Sequence, residues 1–233
     1  MRKFAQTTCT LFCLGALTSV SAAPVFFDDF NAGASILWNN EVGSWSATGG
    51  VYDSLSPSTR PNALSSLPFE LTDFSVELDI NNVSDGGIWL RSATAATGIG
   101  RTGVLLVTGG NTRTGTGLYW HVVTGDSYGS NLNTVSGIFA NGVSDPHLRV
   151  EAHGNTYSAY VNGSTVAATT LTNSAFSSGR VALYDFSGQT FDNVSITSAA
   201  IPEPSHISLL ALAFLGLFLS KFGRRLKGGG IGA

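Results

Sequence analysis

The sequence predicts an all-β chain, a jelly-roll sandwich of two antiparallel sheets, with an N-terminal signal peptide and a single C-terminal transmembrane helix. Three observations predict it. Between residues 24 and 198 no stretch holds helical periodicity for three turns, whereas apolar–polar alternation recurs. Gly-rich turn signals punctuate that region: Thr48-Gly49-Gly50, Asp85-Gly86-Gly87, Thr108-Gly109-Gly110 and Ser177-Ser178-Gly179. Apolar segments with basic flanks stand at both ends.

Residues 1–22 read as the signal peptide. Arg2 and Lys3 precede an apolar stretch that ends in Val20-Ser21-Ala22-Ala23, with small residues at the cleavage positions. Cleavage after Ala22 avoids placing Pro24 at the new N-terminus. Cys9 and Cys13 are the only cysteines and lie inside this segment. The exported domain, residues 23–198, is therefore expected to hold no disulfide and no thiolate metal site. It is large enough to bury a core without staples.

Strands follow in order. Phe74 to Ile80 alternates apolar and polar residues, as a half-buried antiparallel strand does, and Leu148 to His153 repeats the pattern. Tyr157 to Val161 and Thr165 to Thr169 flank Asn162-Gly163, a hairpin signal because both central positions favour positive φ. Val181 to Tyr184 and Phe191 to Ile196 read as two more strands. Roughly a dozen strands favour two large sheets over an immunoglobulin-like domain.

Phe27-Asp28-Asp29-Phe30, Trp38, Gly43-Ser44-Trp45 and Gly49-Gly50-Val51-Tyr52 open the domain. His147 to Asn155, Asn162-Gly163, Gly179 to Tyr184 and Phe191-Asp192-Asn193-Val194-Ser195-Ile196 close it. In that order they resemble the concanavalin A-like lectin/glucanase superfamily, nearest the 3-keto-disaccharide hydrolase (laminin-G-like) group. The resemblance covers residues 25–197. It implies a jelly roll with its first and last strands adjacent. The fold hosts lectins, glycosidases, adhesins and spacers, so function has to come from sites.

Gly87-Ile88-Trp89-Leu90-Arg91 is the leading site candidate. Strand alternation puts Ile88 and Leu90 in the core and Trp89 with Arg91 on the other face. An exposed indole stacks on a pyranose, and a guanidinium beside it donates to hydroxyls or a carboxylate. The resembling group has a similar Gly-Ile-x-Leu-Arg strand on its concave face. The alternative packs Trp89 under a loop and pairs Arg91 with a nearby acid. In Leu118-Tyr119-Trp120-His121, Trp120 is either a second platform or core, with Tyr119 and His121 then outward. Tyr184 and Asp185 end a late strand, where Tyr184 either sits at the cleft edge or packs in the core or rim. Asp192 resembles a position that holds structural Ca²⁺ in many carbohydrate-binding jelly rolls. Asp28 or Asp29 on the neighbouring first strand would contribute; otherwise these acids cap turns or pair with arginines.

The C-terminal segment has three parts. Pro202-Glu203-Pro204-Ser205 lies in a linker, residues 199–206. An apolar run begins at Ile207, and a basic cluster, Lys221, Arg224, Arg225 and Lys227, closes the segment. Pro202 and Pro204 exclude helix and central strand. The run, Ile207 to Leu219, is shorter than the roughly 20 residues of a comfortable span, and a snorkelling Lys221 extends it to a transmembrane helix over 207–223. The tail, 224–233, is basic and expected to stay cytoplasmic. Together these parts resemble the PEP-CTERM sorting signal of Gram-negative bacteria that make extracellular polysaccharide. The resemblance implies export, transient hold in the inner membrane and processing by an exosortase near Pro202-Glu203-Pro204. The final location would be the cell surface or a biofilm matrix.

The three lysines all lie in the targeting segments. The domain carries six arginines against fourteen acidic residues, a net charge of about −8. That balance excludes a nucleic-acid partner, which would need a basic footprint. No Glu-x-Asp-x-x-Glu run of the glucanases is present, and Gly103 to Thr108, where the keto-disaccharide group carries a polar strand, has no acid. The first expectation is thus a non-catalytic module binding extracellular polysaccharide. A structural matrix protein without a ligand site and a divergent glycoside hydrolase or lyase are the alternatives.

Overall fold

The computed structural model describes residues 24–55, 63–93, 100–110 and 116–198. The expected signal peptide, linker, membrane helix and basic tail, with Pro202, Glu203, Pro204, Arg224 and Arg225, lie outside the described residues. Among the described residues there is no helix. The strands are β1 (Pro24–Asp28), β2 (Trp45–Thr48), β3 (Val51–Ser54), β4 (Ala63–Ser66), β5 (Phe74–Asn81), β6 (Gly86–Ala93) and β7 (Thr102–Gly109). They continue as β8 (Gly117–Val123), β9 (Leu132–Val135), β10 (His147–His153), β11 (Thr156–Val161), β12 (Thr169–Thr172), β13 (Arg180–Asp185) and β14 (Thr190–Ser198).

Two antiparallel sheets form the jelly roll. One runs β12-β11-β10-β5-β14-β3-β2, with β1 also on β14; the other runs β4-β13-β6-β7-β8-β9. The first and last strands are adjacent, Phe27 opposite Ser195. Strand β5 shows why the chain folds this way. Phe74, Val76, Leu78 and Ile80 are almost wholly buried, while the residues between them are half-buried. Each such side chain contributes about 1.5–3 kcal/mol by leaving water. Facing them across the core are Ile88, Leu90, Val104, Leu106 and Trp120 of the six-stranded sheet.

The six-stranded sheet is apolar on its other face too. Val42, Leu64, Trp89, Leu105, Val107 and Tyr119 form part of a second cluster on the face turned away from the core. A sheet buried on both faces reads as near-continuous hydrophobic sequence. That is why Gly103 to Thr108 lacks acids: all six residues are buried.

The Asn-Gly turn differs from expectation. Asn162 and Gly163 do take φ of 53° and 72°, but no two-residue hairpin forms. The partner strand starts at Thr169, which pairs with Ala159, so the connection runs over residues 162–168. The Asn162 side chain is engaged elsewhere: its Oδ1 accepts the His147 N–H at 3.1 Å.

Candidate functional site

Trp89 and Arg91 do not share a face. Between Leu90 and Ala93 the pairing of β6 with β7 shifts register, and Arg91 takes a φ of 48°. A bulge places one extra residue in the strand and reverses the parity beyond it. Gly179 supports it from β13's approach: a Cβ there would collide with the Arg91 backbone. Arg91 therefore leaves the face of Trp89 and reaches toward the other sheet. Its Nε donates to the Thr72 carbonyl at 2.9 Å, and Nη1 to the Gly154 and Phe176 carbonyls at 2.7 and 3.0 Å and to Tyr157 Oη at 3.2 Å. Nη2 reaches Thr72 O at 2.6 Å and Asp73 at 3.2 Å. The guanidinium is a buried clamp with no donor left for a glycan.

Trp89 does face away from the core, yet it is 0% exposed. Tyr128, from the β8–β9 connection, packs edge-on against it with ring centroids 6.0 Å apart. The expected exposed indole is a covered one. Trp120 is core: it is wholly buried among residues of both sheets, and its Nε1 donates to Thr169 Oγ1 at 3.1 Å. It therefore cannot bracket a ligand with Trp89. Tyr119 and His121 are the residues of β8 that turn outward, consistent with the alternation.

Tyr184 does lie on the outer face. Register places it in a row, Tyr184–Gly87–Val107–Tyr119, across β13, β6, β7 and β8. The next row is Ala182–Trp89–Leu105–His121. Two tyrosines thus flank a floor of Gly87 and Val107, with Trp89 on one side. On the other side stands Asp85, which the sequence offered only as part of a turn. A Cβ built on Gly110 would lie 2.8 Å from Asp85 Oδ1 and 2.9 Å from Tyr119 Oη, so both groups converge on one spot over that glycine. Burial pushes the Asp85 carboxyl up to about 6. Burial, and then the Asp85 charge, raises both Tyr119 and Tyr184 above the ordinary phenol range. Burial also lowers His121, against the hydrogen bonds of its ring to the backbone at Tyr128 and Ser130.

The acids assigned to calcium are engaged with the protein. Asp28 Oδ1 accepts the Phe30 N–H at 3.0 Å, and Oδ2 accepts Ser35 N–H and Trp38 Nε1 at 2.8 and 2.9 Å. Asp29 accepts Asn31 N–H and Asp192 accepts Asn193 N–H. Burial, and then the charges of Asp79, Asp29 and Asp28, raises Asp192. Among the described residues no group of three or more His, Cys, Asp or Glu is placed to hold a metal. Ca²⁺ takes six to eight oxygens, and these carboxylates are turned to backbone and indole donors. Asp28 instead folds the loop after β1. Asp28→Ala should cost about 2–4 kcal/mol, because three donors lose a charged acceptor. Calcium or a chelator should leave the thermal midpoint of the wild-type protein unmoved; a calcium-dependent rise would restore the ion.

Against known proteins, no family model matches the chain. No curated protein matches it either. Solved structures do. Carbohydrate-binding module CBM66 from Bacillus subtilis superposes with a TM-score of 0.58 at 18% identity, over 70% of this chain and 96% of that one. A Bacillus licheniformis β-glucanase gives 0.54 at 13%, over 78% and 100%. The exoplasmic/lumenal domain of VIP36, solved with Ca²⁺ and Man3GlcNAc, gives 0.51 at 12%, over 73% and 86%. The fold is the concanavalin A-like, glucanase-type jelly roll. At these identities the likeness concerns the fold alone, and within it the site must be read from this chain's residues.

Proposed function

We propose that this is an exported protein that binds extracellular polysaccharide without cleaving it, on the outer face of the six-stranded sheet. One observation carries the reading: Asp85, a carboxylate accepting no hydrogen bond from any described residue, converges with Tyr119 beside the Tyr184–Gly87–Val107 row. A pyranose offers what this set lacks. Its hydroxyls donate to a carboxylate, and its C–H face packs on aromatic rings. The CBM66 and VIP36 likenesses support a glycan as the ligand class. Cleavage would need two carboxyl groups working across one bond. Two other acids lie near this face: Asp126 is held by Arg101 at 2.7 Å, and Asp185 is wholly buried and capped by the Ser187 and Gly188 N–H groups.

Residues 202–227 fit the same reading, as a sorting segment handled by an exosortase-type enzyme at the inner membrane of a Gram-negative bacterium. Its support is the order of Pro-Glu-Pro, apolar run and basic cluster. Membership of the laminin-G-like group rests likewise on the sequence motifs. The complete burial of Trp89 favours a second reading, a matrix protein with no discrete ligand site.

Co-sedimentation with the producing bacterium's extracellular polysaccharide, with an assay for new reducing ends, separates these. The expected result is binding without new ends, weakened at least tenfold in Asp85→Asn by loss of a charge-assisted hydrogen bond. Binding should also weaken as pH falls through about 6, where Asp85 gains its proton. New ends would make the protein an enzyme. No binding would leave the matrix reading.

A further inference from the structure

The connection between β8 and β9 carries two groups that match the parts of one acidic sugar. The first is a carboxylate. Asp126 Oδ1 accepts Arg101 Nε at 2.7 Å and Arg101 N–H at 3.2 Å, and Oδ2 accepts the Gly100 N–H. Burial opposes that charge, but the Arg101 and Gly100 donors hold the carboxyl below its ordinary range. The second is a six-membered ring. Two residues on, Tyr128 packs 6.0 Å from Trp89 and 5.7 Å from His121, and the Arg101 guanidinium lies 5.8 Å from its centroid.

Two donors around this ring have no partner among the described residues. Trp89 Nε1 and Arg101 Nη1 are buried without a hydrogen bond among the described residues, on side chains belonging to residues 0% and 5% exposed. Buried donors are nearly always satisfied, and leaving one unmade is unfavourable. A phenol offers them a single acceptor, Oη, at one point of its edge. A pyranose has hydroxyls around its whole perimeter.

We infer that Trp89, His121 and Arg101 form a subsite for a uronic acid residue, filled here by the protein's own strap, residues 124–130. The inference rests on the glycan-binding reading and names the ligand class for one end of that face. The carboxylate of the sugar replaces Asp126 on Arg101 and on the N–H groups of Gly100 and Arg101, a backbone concavity suited to an anion. Its ring replaces Tyr128 on Trp89, and its hydroxyls meet Trp89 Nε1 and Arg101 Nη1. Overall the domain is acidic, so a local cation has to supply the attraction. Arg101 does so once Asp126 leaves with the strap. A neutral sugar fills the ring position but leaves Arg101 without its carboxylate. The strap is held by the Asp126 carboxylate bonds to Arg101 and Gly100, by Asp126 N–H to Arg101 O at 3.0 Å and by the Thr124–Ser127 turn. His121 Nδ1 with Tyr128 O at 2.8 Å and the packing of the Tyr128 ring add to these, and the sugar has to replace these holds as it enters.

The test titrates the full chain with tetragalacturonate and with the same tetramer after reduction of its carboxyl groups. Tyr128→Ala removes the competing ring and should bind tetragalacturonate at least tenfold more tightly than wild type, with a smaller gain for the reduced tetramer. Trp89→Phe keeps the ring and deletes one donor, and should weaken tetragalacturonate roughly tenfold without touching the strap. In the wild type, saturating tetragalacturonate should shift the Tyr128 ring resonances. Equal affinity for both tetramers overturns the inference, as does saturation without any Tyr128 shift. So does absence of tetragalacturonate binding in every variant. The glycan reading then stands or falls separately, on polysaccharide binding and its loss in Asp85→Asn at the other end of the face.

Discussion

Arg91→Ala is expected to lower the stability of the folded domain by about 2–4 kcal/mol, because a buried cation loses a set of charge-assisted hydrogen bonds to partly exposed acceptors. The expectation follows from what the guanidinium joins. Thr72 and Asp73 lead into β5, Gly154 is the turn between β10 and β11, and Phe176 lies between β12 and β13. Arg91 itself belongs to β6, in the opposite sheet. One side chain thus ties three segments at one end of the sandwich to the facing layer, with the Tyr157 ring 5.2 Å from its guanidinium carbon. Alanine would leave three carbonyls and the Asp73 carboxylate short of donors, with water able to replace only part of what the guanidinium gives them. It would also keep the positive φ of Arg91, a conformation unfavourable for a non-glycine residue and maintained here by those bonds. Arg91→Lys should recover only part of the loss, since an ammonium presents its donors from one point and cannot span these acceptors. Urea unfolding monitored by tryptophan fluorescence measures both variants. A loss below about 1 kcal/mol for Arg91→Ala, the scale of a surface pair, would show that the clamp is not structural.

The same residue shows where sequence reasoning stops. Alternation correctly placed Ile88 and Leu90 in the core and Trp89 away from it, because strand parity is local. It failed one residue later, since a bulge has no signature in Leu-Arg-Ser-Ala and yet reverses every side chain beyond it. In β8 the alternation was intact but its phase was not legible. Tyr119-Trp120-His121 offers polar aromatics on both parities, and the structure settles Trp120 inward through Thr169, forty-nine residues away. The burial of Trp89 was likewise invisible, because its cover, Tyr128, belongs to a loop with no periodicity. Asp85 was readable only as turn punctuation. Its convergence with Tyr119 over Gly110 depends on β5–β6, β7 and β8 coming together. Asp28 was read as a contributor to a calcium site, with turn capping as the alternative, and the structure shows it capping the loop after β1. Its partners, Phe30, Ser35 and Trp38, follow within ten residues, so a local carboxylate-capped loop was the available reading.

Folding stability should fall as pH rises from about 4 to about 7, the reverse of ordinary acid denaturation, and Asp185 should account for much of the fall. Asp185 ends β13 opposite Gly86 and is 0% exposed. Its Oδ1 accepts the Ser187 and Gly188 N–H groups at 3.2 and 3.1 Å, while Oδ2 is buried without a partner. Burial pushes the carboxyl up to about 7 against the pull of the neighbouring N–H groups, and the Asp85 charge adds to the rise. The unfolded chain releases this proton near pH 3.9, whereas the folded chain holds it to about 7. Between those values the folded state binds more protons, so the slope of stability against pH is negative. The contribution is complete below the unfolded pKa and is lost as pH passes the folded one. Its size is on the order of 3–4 kcal/mol, and Asp85, raised to about 6, has the same sign. Urea unfolding of wild type and Asp185→Asn at pH 5, 6, 7 and 8 isolates it, because the difference between the two proteins removes the other titrating groups. Wild type should lose ground to Asp185→Asn from pH 5 to 7 and level off toward pH 8. Parallel profiles, or a wild type that gains relative to Asp185→Asn as pH rises, would show that Asp185 is charged in the folded state at all these values. The consequence reaches the proposed site, since the loop that Asp185 caps also holds Asp85: the Phe186 N–H and Ser187 Oγ both donate to the Asp85 carbonyl, at 2.9 and 3.0 Å. Charging Asp185 strengthens its bonds to that loop but sets a second negative charge near Asp85, which opposes the charging that makes Asp85 the better acceptor. Asp185→Asn should separate these opposing effects on glycan binding.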